Sequence, residues 1–274
     1  MKELGMRELL NKGIKQYKNQ DIALLFSGGV DSLCVLLSCL DVGIRPHLYT
    51  FKLKSYDSDD YFTAIKISKL YDLKLTIIEI DDTNVNKLID DIKYIIKKFK
   101  VKKKTAIQCI YPFIYIIDKI EEKTVFTGLS ADILHGGTRQ MHVIGRKDEK
   151  AFNDLRLEWI YSKELASYCY IEQMFTERGI KLIDVYRSNQ ELINFFMSKT
   201  FKELTSPKEK NIAYESYKKE MDEYKLYRRP SPFQINSKVR EWHDTLLNTN
   251  ENINNNKRVT AIYNRYYKEI WGDE

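Results

Sequence analysis

The stretch LLFSGGVDSL, residues 24–33, decides how this chain is read. It closes a short, almost uninterrupted apolar run, DIALLFS (21–27), as expected for a parallel strand covered on both faces. Helical length follows in DSLCVLLSCLDV (31–42), so a very tight turn joins strand to helix. Gly28 and Gly29 free the backbone there for positive φ and for the close approach of a ligand. The helix points unpaired N–H groups and the positive end of its dipole back at the turn. Ser27 and Ser32 add hydroxyl donors. Together these features predict an anion site suited to phosphate. Asp31 does not belong in such a site without a cation. Its expected role is to hold Mg2+ against phosphates, with helix capping as the alternative. The spacing is neither the Walker G-x-x-x-x-G-K-[ST] nor the dinucleotide G-x-G-x-x-G.

Working outward, PHLYTFKL (46–53), KLTIIEI (74–80) and KTVFTG (123–128) read as three further strands. Helical patterns at 58–73, 84–100 and 105–122 separate them. Such alternation predicts crossovers and a parallel sheet, whose ligands bind beyond the carboxyl ends of the strands. Residues 27–32, 51–55 and 128–137 fall there. From about residue 148 strand signals fade, and helical patterns recur near 149–178, 189–199, 209–225, 236–247 and 257–271. The expected organisation is an α/β core over 1–147 and a helical C-terminal portion over 148–274, packed as one compact unit.

The 274 residues carry a net charge of +6, which suits an anionic ligand and equally an ordinary basic surface. No run of eighteen apolar residues is present, so no membrane span is expected. The opening MKELGMRELLNKG reads as an amphipathic helix and not as a signal peptide. Cys34, Cys39, Cys109 and Cys169 are scattered without a C-x-x-C pair, and the four histidines lack metal-ligand spacing. Disulfide scaffolds and zinc clusters are thereby disfavoured, and a reducing, cytoplasmic location is expected.

The loop SGGVDS (27–32) resembles that of the PP-loop ATP pyrophosphatase superfamily, S-G-G-x-D-S. VFTGLSADILHGG (125–137) resembles the second motif of the asparagine synthetase synthetase domain, G-E-G-x-D-E-x-x-x-G-G, at Gly128, Asp132, Gly136 and Gly137. GIKLIDVYRSNQELINFF (179–196) and LYRRPSPFQ (226–234) resemble later segments of that domain more diffusely. The resemblance implies a HUP-like α/β fold, a parallel sheet of about five strands flanked by helices, with a helical C-terminal portion. It also implies that ATP is split to AMP and pyrophosphate as a substrate oxygen is adenylated, and that a nucleophile then displaces AMP. By the same resemblance Ser27, Gly28, Gly29 and Ser32 hold phosphates, and Asp31 and Asp132 bind Mg2+. Phe26, Phe51, Lys52, Leu53 and Gly128 would line the ATP site, and Arg228 or Arg229 would supply positive charge.

Departures from the family pattern bear on the acceptor. Leu129 and Ile133 stand where the second motif has glutamates. The family's late lysine falls near Pro230, and arginine does not substitute freely for it. The first strand arrives by Asp21, so no glutaminase domain is expected ahead of it. The expected partners are therefore a small-molecule carboxylate and a free amine or ammonia, with a separate glutaminase as a further source. Two other functions stay open. One is modification of a base in tRNA or DNA, favoured by the lysine run KKFKVKKK (97–104), which also reads as a solvated helix end. The other is a nucleotide-binding protein without catalysis, suggested by the missing glutamates and opposed by the retained Asp31 and Asp132.

Overall fold

Five short strands rich in aliphatic and β-branched residues build the sheet: β1 (Ile22–Leu25), β2 (His47–Leu53), β3 (Leu75–Ile80), β4 (Thr124–Thr127) and β5 (Lys181–Asp184). The structure, a computed structural model, describes residues 4–162, 167–228, 233–250 and 256–272. The strands form a parallel sheet in the order β3-β2-β1-β4-β5. β1 lies at the centre, with Leu24 opposite Leu48 on one side and Phe126 on the other. The chain leaves β1 towards β2 and β3, then returns to place β4 and β5 on the opposite flank. The carboxyl ends of β1 and β4 thus border a topological switch point, where open parallel sheets bind ligands.

Helices supply the cover that buries β1 and β4 along almost their whole length. α1 (Met6–Lys15) buries Met6, Leu9, Leu10 and Ile14 on one face. α2 (Val30–Asp41) is buried on nearly every side, as its apolar sequence requires. Cys34 and Cys39 lie inside it as packed apolar groups, and burial pushes both thiols well above their usual range. α3 (Asp59–Leu70) begins where the Ser58 hydroxyl accepts a hydrogen bond from Tyr61 N–H, as the acidic helix start predicts. α4 (Val85–Phe99) starts at Asn84, whose side chain caps Lys87 N–H.

The chain divides into two interleaved units. The first comprises Met1–Tyr49, Thr63–Thr76 and Glu121–Pro230, and its core includes α1, α2, β1 and β4. The second comprises Thr50–Phe62, Ile77–Ile120 and Ser231–Glu274, and contains α4 and the helix Asn256–Trp271.

The structure refines the sequence reading in three places. The fifth strand that the resemblance implies, Lys181–Asp184, lies in the portion expected to be helical, where Lys181 and Asp184 leave it only Leu182 and Ile183 as apolar residues. The helix expected over 105–122 is broken at Tyr111 and Pro112 into Lys104–Ile110, Phe113–Ile116 and a 3-10 turn, since proline has no N–H to continue the ladder. The pattern at 209–225 is two short helices, Asn211–Ser216 and Lys218–Glu223. Among the described residues no helix is long and apolar enough to cross a membrane.

Candidate active site

The carboxyl end of β1 runs through Phe26, which is buried, into the turn expected from the sequence. Gly28 takes φ 69°, a conformation that a side chain disfavours. Gly29 is extended and occupies the N-cap of α2, where no side chain caps the helix. The first-turn N–H groups of α2 are therefore not taken up by a capping residue. Ser27 Oγ accepts from Gly29 N–H at 3.3 Å, and Ser32 Oγ donates to the Gly29 carbonyl at 3.2 Å. The two hydroxyls lie 3.3 Å apart and line one side of the turn.

β4 delivers the second loop. Gly128 follows the strand so closely that a Cβ there would lie 3.3 Å from the backbone carbon and the Cβ of Asp31. Ser130 N–H donates to Asp184 Oδ2 at 2.9 Å, which ties this loop to the end of β5. Asp184 is buried, and burial raises its carboxyl above the usual range although three backbone N–H groups bond to it. Arg187 Nε reaches Ser130 Oγ at 3.1 Å and fixes the same loop from the other side. The short helix Ala131–Leu134 then presents Asp132, and a side chain at Gly137 would strike its carboxylate at 2.9 Å.

Asp31 and Asp132 meet at one cation, Lys210. Its Nζ lies 2.5 Å from Asp31 Oδ2 and 2.6 Å from Asp132 Oδ1. Lys210 sits in the left-handed conformation before the helix Asn211–Ser216, and its side chain is only 5% exposed. Burial opposes its charge, but the two carboxylates outweigh burial and hold the ammonium above its ordinary pKa. Burial lifts Asp31 to about 6 against the pull of the Lys210 charge. Asp132 is 53% exposed, and the Lys210 charge holds its carboxyl below the usual range.

The donor set fits Mg2+. Two carboxylates converge on one centre, and the buried Asp31 Oδ1 has no hydrogen-bond partner among the described residues. Hard oxygen donors with one oxygen unspent are what a magnesium ion shared with phosphates requires.

The residues expected from sequence thus fall into three groups. Ser27, Gly28, Gly29, Asp31, Ser32, Gly128 and Asp132 come together at the ends of β1 and β4. Arg228 joins them, its guanidinium donating to the Gly28 carbonyl at 3.2 Å, whereas Arg229 lies outside the described residues. Phe51, Lys52 and Leu53 belong to the second unit, where Lys52 pairs with Asp57 at 2.5 Å and lies over the Tyr61 ring. Leu129 is partly exposed and Ile133 is buried at the positions of the family's glutamates.

Lys210, Asp184 and Arg187 escaped the sequence reading. Lys210 is one lysine among several in SPKEKNIAYESYKKE, and nothing local sets it apart. Asp184 could have been found, because it ends KLID at the carboxyl edge of the sheet.

No curated protein matches the sequence. Among solved structures, the predicted subunit of a tRNA methyltransferase from Methanocaldococcus jannaschii is similar at a TM-score of 0.35 and 18% identity, over 65% of this chain and 76% of that chain. The family model described as asparagine synthase matches residues 5–193, well over half of the chain, and with that match the protein belongs to the asparagine synthase family, a family of ATP-using PP-loop proteins.

Proposed function

We propose that the protein is an ATP-dependent, AMP-forming ligase that adenylates a substrate carboxylate and condenses it with ammonia or an amine. One observation carries this reading: Asp31 and Asp132, in the first turns of the helices that follow two neighbouring strands, converge on the Lys210 ammonium beside the S-G-G-V-D-S loop. A plain nucleotide-binding fold has no need of that arrangement.

In the proposed reaction a carboxylate oxygen attacks the α-phosphorus of ATP. The bond from that phosphorus to its bridging oxygen breaks, and pyrophosphate leaves. The amine nitrogen then attacks the acyl carbon, AMP departs with the former carboxylate oxygen, and the nitrogen loses a proton. The hydroxyls of Ser27 and Ser32 and the backbone N–H groups at Gly28, Gly29 and the start of α2 hold the pyrophosphate portion. Mg2+ held by Asp31 and Asp132 would neutralise charge on the phosphate oxygens. Lys210 keeps a buried positive charge at the same centre, and Arg228 adds one beside the Gly28 carbonyl. These fixed cations favour the charge that builds as pyrophosphate leaves. The apolar Leu129 and Ile133 support an acceptor other than that of asparagine synthesis.

The test is product analysis with labelled ATP, Mg2+, ammonium and pools of carboxylic acids and amines. AMP and pyrophosphate, abolished in Asp31→Asn and Asp132→Asn, are expected. ADP as the product would overturn the reading.

A further inference from the structure

The lysine run of the second unit is not absorbed by the adenylation site. α4 buries its whole apolar face, Leu88, Ile92, Ile95, Ile96 and Phe99, and ends at Lys100, which takes φ 49°. That left-handed C-cap position usually falls to glycine. Lys97, Lys100, Lys102 and Lys103 are all exposed, and no acid occurs between residues 92 and 105. The helix Asn256–Trp271 docks alongside, with Trp271 Nε1 donating to the Ile96 carbonyl at 3.2 Å.

Two exposed aromatic rings lie beside lysines of this run. Lys98 Nζ lies 5.6 Å from the centre of the Tyr94 ring, and Lys100 Nζ lies 5.2 Å from that of Trp271. Tyr94 is 48% exposed and Trp271 is 38% exposed. Glu269, on the helix that docks alongside, is paired with Lys93 at 2.9 Å and with Arg265 at 3.6 Å.

We infer that this face binds single-stranded nucleic acid. Lysines track the phosphate backbone, and exposed rings offer platforms on which bases stack. An ammonium now over a ring can turn to a phosphate and leave that ring face to a base. An anionic membrane is the weaker match, because surface-bound helices need an open apolar face and that of α4 is filled. The inference concerns the second unit alone and does not depend on the adenylation reading.

The experiment is fluorescence anisotropy with labelled oligouridylate and oligothymidylate of about 12 nucleotides, without ATP. Binding is expected to weaken about tenfold or more between about 50 and 200 mM salt. The variant Lys97→Glu/Lys100→Glu/Lys102→Glu is expected to bind about tenfold or more weakly, and Tyr94→Ala about fivefold or more weakly, with Tyr94→Phe close to wild type. Circular dichroism of each variant separates lost binding from lost folding. A preference for RNA or for DNA names the source of the strand. Three results would overturn the inference: no binding at low salt, binding untouched by the charge-reversal variant, or binding of phosphatidylserine vesicles in place of both oligonucleotides. Equal affinity for duplexes, with Tyr94→Ala silent, would overturn the single-strand assignment.

Discussion

Lys210 and Asp31 are joined Nζ to Oδ2 at 2.5 Å, although 179 residues separate them in the chain. The lysine accepts a left-handed backbone to make this contact, at a cost of about 1–2 kcal/mol for a residue with a Cβ. The ion pair offsets that cost only while both partners are present. Asp31 and Asp132 without their lysine are two negative charges in one site, one of them largely buried.

Lys210→Met is therefore expected to destabilise the protein by about 3–5 kcal/mol at neutral pH. Urea denaturation measures this loss. A millimolar concentration of Mg2+ is expected to raise the melting temperature of the variant more than that of wild type, because a metal ion then has the acid pair to itself. A variant as stable as wild type would remove the ion pair from the account of the fold.

His135 sets a pH dependence. It is fully buried, packs edge-on against Phe196 at 4.7 Å, and neither ring nitrogen has a partner among the described residues. Burial, helped by the Lys210 charge, depresses it to about 3 from an ordinary 6.5. Between those values the unfolded chain binds a proton that the folded chain refuses. The contribution to stability is complete above pH 6.5 and is lost as pH falls towards 3, with a slope approaching about 1.4 kcal/mol per pH unit. His243, depressed to about 3 mainly by its own burial, adds a second such group. His135→Phe should flatten the acid limb of a stability–pH curve by about one proton.

Arg156 tethers the helix that carries Asp132. Its buried guanidinium donates to the carbonyls of Leu134 and Phe196, each at 2.7 Å, and to Asn153 at 2.9 Å. Burial lowers its pKa to about 10. Arg156→Ala orphans two buried carbonyls and is expected to cost about 3 kcal/mol or more. Arg156→Lys should recover only part of this, because a point charge cannot span the fork. Chemical denaturation gives the stability, and Mg2+ titration reports whether Asp132 has moved.

Gly128→Ala probes the fit between the two loops. The new Cβ would press on Asp31 at 3.3 Å and displace the start of α2. A loss of about 1–3 kcal/mol in stability is expected. ATP affinity, measured by calorimetry, should fall with it, because the displaced α2 start belongs to the phosphate loop.

What was legible in the sequence followed local pattern. The apolar run before Ser27, the two glycines and the helix after them specify the strand, turn and helix found there, because each is set by neighbours in sequence. Asp132 was legible for the same reason, standing four residues past Gly128 at a strand end. β5 was implied by the resemblance but not placed, because Lys181 and Asp184 leave it only two apolar residues. Lys210 was missed because its role exists only in three dimensions: nothing in KEKN distinguishes the lysine that turns inward. The long helix expected across Pro112 shows the opposite error, a periodic pattern trusted past a residue that cannot extend the ladder.

The distance in sequence between Asp31 and Lys210 also orders events during biosynthesis. A ribosome has made β1, β4, β5 and both acids before it makes the residue that neutralises them. A chain that terminates early carries the loop and its carboxylates but lacks the counter-charge that completes the centre.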